Sequence, residues 1–333
     1  MYATPQAQFR SSERLFRRFL LRRIMGDGSA GYGTGAVVDR LRVVVEDPGE
    51  GRPRATWRVL IAGLVMFPLT ETVSQLAAGA LGLPTPAVIG TVQAACFAVV
   101  LVAWARYIDR RRLGEYGFAA TPAWALDLLA GFAAVLIAWV LWFSVGAALD
   151  WTTVKTSPST PDGSLVLALG GWVVAYGLNA WVQETVFQGL VLKNVAEGFR
   201  NRGVTARRAV LGALAVTAAY FAVIHGETSL RFLIDLTVAG AVYGALYVHT
   251  GSLALPVGAH LGANLVGGTV FAPASVVGDR VTVFVVSGGV PGPELLNLAF
   301  TRMVLAYLLL LGYLWLRHGE VGVETRIAAW TPR

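Results

Sequence analysis

Residues 164–193 read SLVLALGGWVVAYGLNAWVQETVFQGLVLK. The run holds one acid, Glu184, and no basic residue before Lys193. At about 1.5 Å per residue it outreaches the roughly 30 Å of a bilayer's hydrocarbon core, so it predicts a transmembrane helix. Yet it also carries Asn179, Gln183, Glu184 and Gln188, polar groups that lipid penalises unless they have a partner or a task.

Outward from this run, further apolar stretches span 57–80, 87–105, 126–149, 209–225, 231–249, 252–271 and 302–316. The expected fold is therefore all-α, a polytopic transmembrane bundle of about eight helices, with the fifth and eighth stretches near the lower length limit. Composition agrees: 55% of residues are hydrophobic, 14% are charged and mean hydropathy is +0.60. A single cysteine, Cys96, excludes an intrachain disulfide framework. With the N-terminus placed inside, 23 of the 27 Lys and Arg fall in inner segments; Lys155, Arg231, Arg280 and Arg302 fall outside. The net charge of +7 is then positive-inside bias rather than a nucleic-acid surface. The expectation is a multi-pass protein of the cell membrane with both termini cytoplasmic. Its partners would be the lipid bilayer and a membrane-associated peptide or protein, with no nucleic acid.

Residues 1–56 read as a separate basic region preceding a transmembrane domain at 57–333. Arg10–Met25 sets six arginines against Leu15, Phe16, Phe19, Leu20 and Ile24, the pattern of an interfacial helix or a flexible basic tail and not of a signal peptide. GDGSAGYGTG at 26–35 is a glycine-rich linker. Between 272 and 301 lies the longest outer connection, where Val281–Val286 (VTVFVV) predicts a short strand or a re-entrant piece.

Three polar groups stand out within the crossings. Glu184 and Gln188 share one helix face, while Gln183 lies about 100° round with Asn179 and Phe187. Phe221 and His225 close the fifth crossing, and His260 and Asn264 lie one turn apart in the seventh. A lone membrane histidine is commonly a packing hydrogen-bonder. A carboxylate, two imidazoles and an amide from three helices can instead surround one point, activate a water, or hold a metal. Two alternatives stay open: zinc or another divalent ion on His225 and His260, or no metal. Loop edges place Glu184 and His260 about 13 Å deep but His225 about 25 Å deep. That mismatch demands either an interfacial start or a strong tilt of the fifth helix.

These motifs resemble those of the CAAX protease and bacteriocin-processing (CPBP, or Abi) family of intramembrane proteases, which is similar to the type II CAAX prenyl endopeptidases. The family pattern is Glu-Glu-x-x-x-Arg, Phe-x-x-x-His and His-x-x-x-Asn. Phe221/His225 and His260/Asn264 match in full, and the resemblance covers about 164–271. Gln183 stands at the first Glu and Gln188 at the Arg; Glu184 matches the second Glu. The resemblance implies a membrane (metallo)endopeptidase with Glu184, His225, His260, Asn264 and Gln183 at its site; the family's base is the first Glu, where Gln183 stands, so the expected base here shifts to Glu184. Since an amide cannot replace the first Glu as a base, the alternatives are a catalytically inactive scaffold of the same family, or a small transporter. No His-Glu-x-x-His, no aspartate pair on adjacent crossings and no helix-borne serine motif favours another protease class. The inverted repeats expected of a transporter are not visible.

Overall fold

A computed structural model describes residues 44–47, 49–82, 85–159, 164–273, 281–292 and 294–331. The basic stretch at 10–25 and the glycine linker at 26–35 lie outside them. The chain divides into residues 1–54 and 55–333. In the first unit, β1 (Glu46–Asp47) pairs antiparallel with β2 (Arg52–Pro53). The turn between them uses Gly51 at φ +63°, a left-handed conformation that glycine adopts without strain.

The second unit is the helical bundle. Its helices are α1 (Ala55–Ala80), α2 (Pro86–Ile108), α3 (Pro122–Ala148), α4 (Leu165–Arg200), α5 (Ala206–Ile224) and α6 (Leu230–Thr250). They are followed by α7, which runs Ala254–Leu265 and continues as a π-turn over Val266–Val270, and by α8 (Ala299–His318). Local chemistry sets the ends. Thr85 and Thr121 cap α2 and α3, each ahead of a proline at the first helical position. Gly251 and Gly319 end α6 and α8 with φ of +64° and +76°.

Seven of these helices are long and apolar enough to span a membrane. The remaining one, α7, is shorter, and its first residues Leu253, Ala254 and Leu255 are already buried in protein. It packs against α3, α4 and α6 near the bundle's centre. Glycines let α3 and α7 touch backbone to backbone: a Cβ on Gly258 would stand 1.9 Å from the Leu128 carbonyl oxygen. Residues on these facing surfaces, including Ala134, Val135, Ala138, Leu255 and Ala259, belong to the main apolar core.

One end of the bundle carries a small sheet. β5 (Thr282–Gly288) is central, pairing antiparallel with β3 (Thr152–Ser159) and parallel with β4 (Phe271–Pro273). The VTVFVV stretch is thus mostly strand, its β-branched residues matching Val154 to Val286 and Ala272 to Val285 across the ladder.

The other end carries a buried ion cluster. Arg58 Nη1 lies 2.9 Å from Asp109 Oδ1 and 3.1 Å from Glu197 Oε2. Arg111 Nη2 lies 2.7 Å from Glu197 Oε1, and its Nε 3.3 Å from Asp109 Oδ2. Asn194 accepts a further bond from Arg58, and Tyr116 donates to Asp109 at 2.8 Å. Burial alone would push the Asp109 carboxyl up; Arg111 and Arg58 outweigh it and hold it below the usual carboxylate range. Trp330 Nε1 donates to the Asp109 carbonyl at 3.2 Å, and Lys193 Nζ to the Ile327 carbonyl at 3.4 Å. The start of α1 and residues 327–330 therefore share one end of the bundle.

One sequence expectation changes here: Lys193 is buried rather than at a loop edge, because α4 continues to Arg200 and its last turns face the cluster. Trp104 is buried in the core. His249 bonds the Gly322 carbonyl at 2.6 Å and the Tyr307 hydroxyl at 2.8 Å. Asp235 accepts the Phe300 N–H at 2.8 Å and caps α8.

Candidate active site

Glu184 and His260 meet in the bundle's interior. His260 Nδ1 lies 2.7 Å from Glu184 Oε1, with the glutamate fully buried and the histidine nearly so. An ionised carboxylate only accepts, so Nδ1 carries the proton and Nε2 is left on the opposite edge of the ring. The second carboxylate oxygen, Oε2, accepts from Gln188 Nε2 at 3.2 Å. The π-helical stretch Thr185–Leu192 directly follows Glu184, a widened turn of the kind found at functional sites. It lets Glu184 and Gln188 face the core of the bundle, with Gln183 turned to another side.

The His260 ring is packed on both faces. Tyr243 stacks on it, with centroids 4.7 Å apart and planes 7° off parallel, and Phe221 approaches edge-on at 6.0 Å. Tyr243 reaches it because Gly240 and Gly244, on either side, let α6 lie close to α5. A Cβ on Gly240 would come within 2.9 Å of Phe221. Sequence reasoning missed Tyr243; the flanking glycines within an apolar helix were its only signal.

A cavity of about 750 Å³ opens beside this pair. His260, His225, Gln183, Asn264 and Tyr243 line it; Glu184 does not, standing behind His260. Four of the five residues expected at the site thus share one cavity, and the fifth holds one of them. His225 sits at the exposed end of α5, its ring 4.7 Å from Phe221. Its Nδ1 contacts the Phe221 carbonyl at 2.6 Å, so it too donates through Nδ1 and presents Nε2. The depth mismatch resolves through α4: from Arg200 to Glu184 is sixteen residues, and from Arg208 to His225 seventeen, each about 25 Å.

Gln183 ends a chain of amides. Glu71 on α1 accepts from Gln75 at 2.9 Å and from Gln93 on α2. Gln93 Oε1 accepts from Asn179 Nδ2 at 3.5 Å, and Asn179 Oδ1 accepts from Gln183 Nε2 at 2.7 Å. A carboxylate at the head of the chain dictates every amide's direction. The last in line therefore turns its carbonyl, Gln183 Oε1, away from the chain; that oxygen is buried and has no protein partner. A buried acceptor left so costs about 1–3 kcal/mol unless a water or ligand N–H reaches it. Glu71, an acid within the first crossing, thus bonds a neighbouring helix through Gln93.

Both histidines have the arrangement of metal-ligating imidazoles, with one nitrogen held by an acceptor and the other presented. A catalytic zinc site draws three protein ligands. A third here would need a carboxylate, but both Glu184 oxygens are engaged and position 183 is an amide. Among the described residues no three His, Cys, Asp or Glu converge in a metal-holding group. The donor set does not fit a three-ligand zinc centre.

Residues 165–266, from α4 into the π-turn of α7, match the model of a protein family described as type II CAAX prenyl endopeptidase Rce1-like. No curated protein and no solved structure matches the chain.

Proposed function

We propose, from the premise that residues 165–266 are similar to the type II CAAX prenyl endopeptidase Rce1-like family, that this polytopic membrane protein is an intramembrane endopeptidase whose general base is His260. The observation that carries the reading is the 2.7 Å Glu184–His260 contact beside a cavity lined by two imidazoles and two amides. Glu184, the residue expected to be the base, takes the supporting place.

In this reading a water in the cavity lies against His260 Nε2 and donates a hydrogen bond to the Gln183 carbonyl. The water oxygen attacks the scissile carbonyl carbon while its other proton moves to Nε2. Glu184 stabilises the imidazolium that forms, as a carboxylate does behind a catalytic histidine. The Asn264 amide N–H donates to the oxyanion. Collapse of the tetrahedral intermediate breaks the C–N bond, and the Nε2 proton leaves with the amine. No step runs through a metal.

The substrate class is a membrane-associated peptide or protein, reached from lipid or from the cavity mouth. The rival reading is a silent scaffold, which Gln183 at the family's first Glu keeps in play. The two part on one assay: cleavage of a fluorogenic peptide library by protein purified in neutral detergent. Wild type cleaving and His260→Ala inactive at equal folding supports the peptidase; no turnover by wild type, with or without added divalent ions, sinks it.

A further inference from the structure

The cavity that holds the imidazoles also contains a cation that the mechanism does not use. Arg302 lies in the first turn of α8, and its guanidinium stacks over Trp139 and Phe143, 5.1 Å and 5.4 Å from their ring centroids. All three line the same cavity as His225 and His260. Arg302 Nε is buried without a hydrogen-bond partner, and among the described residues the side chain makes no ion pair.

Little around this cation neutralises it. The first turn of a helix is the positive end of its dipole, where a cation is disfavoured and an anion welcome. Arg231 lines the same cavity and adds like charge. Asp235 lines the same cavity and its charge acts on Arg302, but among the described residues the two form no ion pair, and Asp235 spends Oδ1 on the Phe300 N–H. Two aromatic faces fix the guanidinium plane without neutralising it, so its fork remains available for a planar, two-oxygen acceptor. A partly desolvated arginine held in a cavity, with no acid in direct contact, is the arrangement that recognises a carboxylate.

We propose that Arg302 is the anchor for a carboxylate on the peptide that occupies the cavity. It deepens the peptidase reading, since it selects substrates by an acidic group set off from the bond being cut. The carboxylate has two sources, a free C-terminus or an acidic side chain.

Equilibrium binding to purified His260→Ala protein in a neutral detergent tests this without any need for cleavage. The probes are N-acetyl-Leu-Leu-Leu as acid and as amide, and N-acetyl-Leu-Glu-Leu-amide with its Gln counterpart. The acidic member of at least one pair should bind about tenfold tighter than its neutral twin, the scale of one charge-assisted pair. Which pair shows it identifies the source. In Arg302→Gln that preference should fall to about twofold while the neutral peptide binds as before, a control that a misfolded variant would fail. Arg302→Lys should recover part of it, keeping the charge but not the fork. Equal binding of both twins in both pairs, or a preference undiminished in Arg302→Gln, overturns the proposal. A preference that stands while wild type cleaves nothing would leave the anchor and remove the peptidase.

Discussion

Glu184 Oε1 stands 2.7 Å from His260 Nδ1, on the side of the imidazole away from the cavity that His260 lines. The carboxylate therefore acts on whatever occupies the cavity only through the ring. Glu184→Gln should fold, since glutamine can still bond Gln188, but it can offer Nδ1 an N–H and favour the wrong tautomer. We expect kcat to fall by about a hundredfold or more with KM little changed, as for the acid behind other catalytic histidines. Adding His260→Ala should then cost little more than His260→Ala alone. Additive losses in the double variant would show that Glu184 acts on the substrate independently.

The amide chain from Glu71 to Gln183 admits one carboxylate, because two acceptors at opposite ends cannot both be served by the amides between them. Gln183→Glu, which restores the residue of the family pattern, should therefore be impaired and less stable. Glu71→Gln in the same molecule lets the chain reverse and should recover much of the loss. A coupling of about 1–3 kcal/mol between α1 and α4 positions is expected from thermal unfolding in detergent. Independent effects at the two sites would mean that the chain carries no directional information.

Gly258 meets the Leu128 carbonyl so closely that a methyl group has no room, and backbone cannot step aside as a side chain can. Gly258→Ala should destabilise by about 3 kcal/mol or more and open the contact between α3 and α7. Gly170→Ala on α4, where nothing lies within 4 Å, should be neutral or slightly stabilising by helix propensity. Thermal melting of the two variants side by side checks the contrast.

Against the effect of burial, Arg111 and Arg58 hold the Asp109 carboxyl below its ordinary value of 3.8. A depressed acid contributes stability that is present above its unfolded pKa and lost as pH falls through the folded one. The protein should thus keep the Asp109 contribution at neutral pH and shed it only below about pH 3.8. Asp109→Asn leaves Arg58 and Arg111 short of charge and should cost about 3–5 kcal/mol at pH 7. Its stability should then vary less than wild type's in the acid range, which unfolding series at stepped pH would reveal.

The helices were legible because each is a run of apolar residues long enough to see, and three of the site groups because ionisable residues inside such runs are rare. What stayed hidden was set by pairing across the fold. Lys193 looked like a membrane boundary, yet α4 carries Lys193, Asn194 and Glu197 inward, toward partners from residues 58, 111 and 327. That one misplaced edge produced the apparent depth conflict between Glu184 and His225. Likewise Glu184 was free to be read as the base, because spacing along a helix gives the face of a side chain but not what already occupies it. Tyr243 and Arg302 belong to helices whose sequences carry no motif, and only the packing brings them to the cavity.

The buried charges at one end and the narrow sheet at the other make the bundle mechanically lopsided. Parting α1, the segment after α2 and α4 would strand Arg58 and Arg111 in a dry interior. Separating β4 from β5 would break a ladder only three residue pairs long. Were the helices to separate, the seam between β4 and β5 would therefore part well before the charged end did.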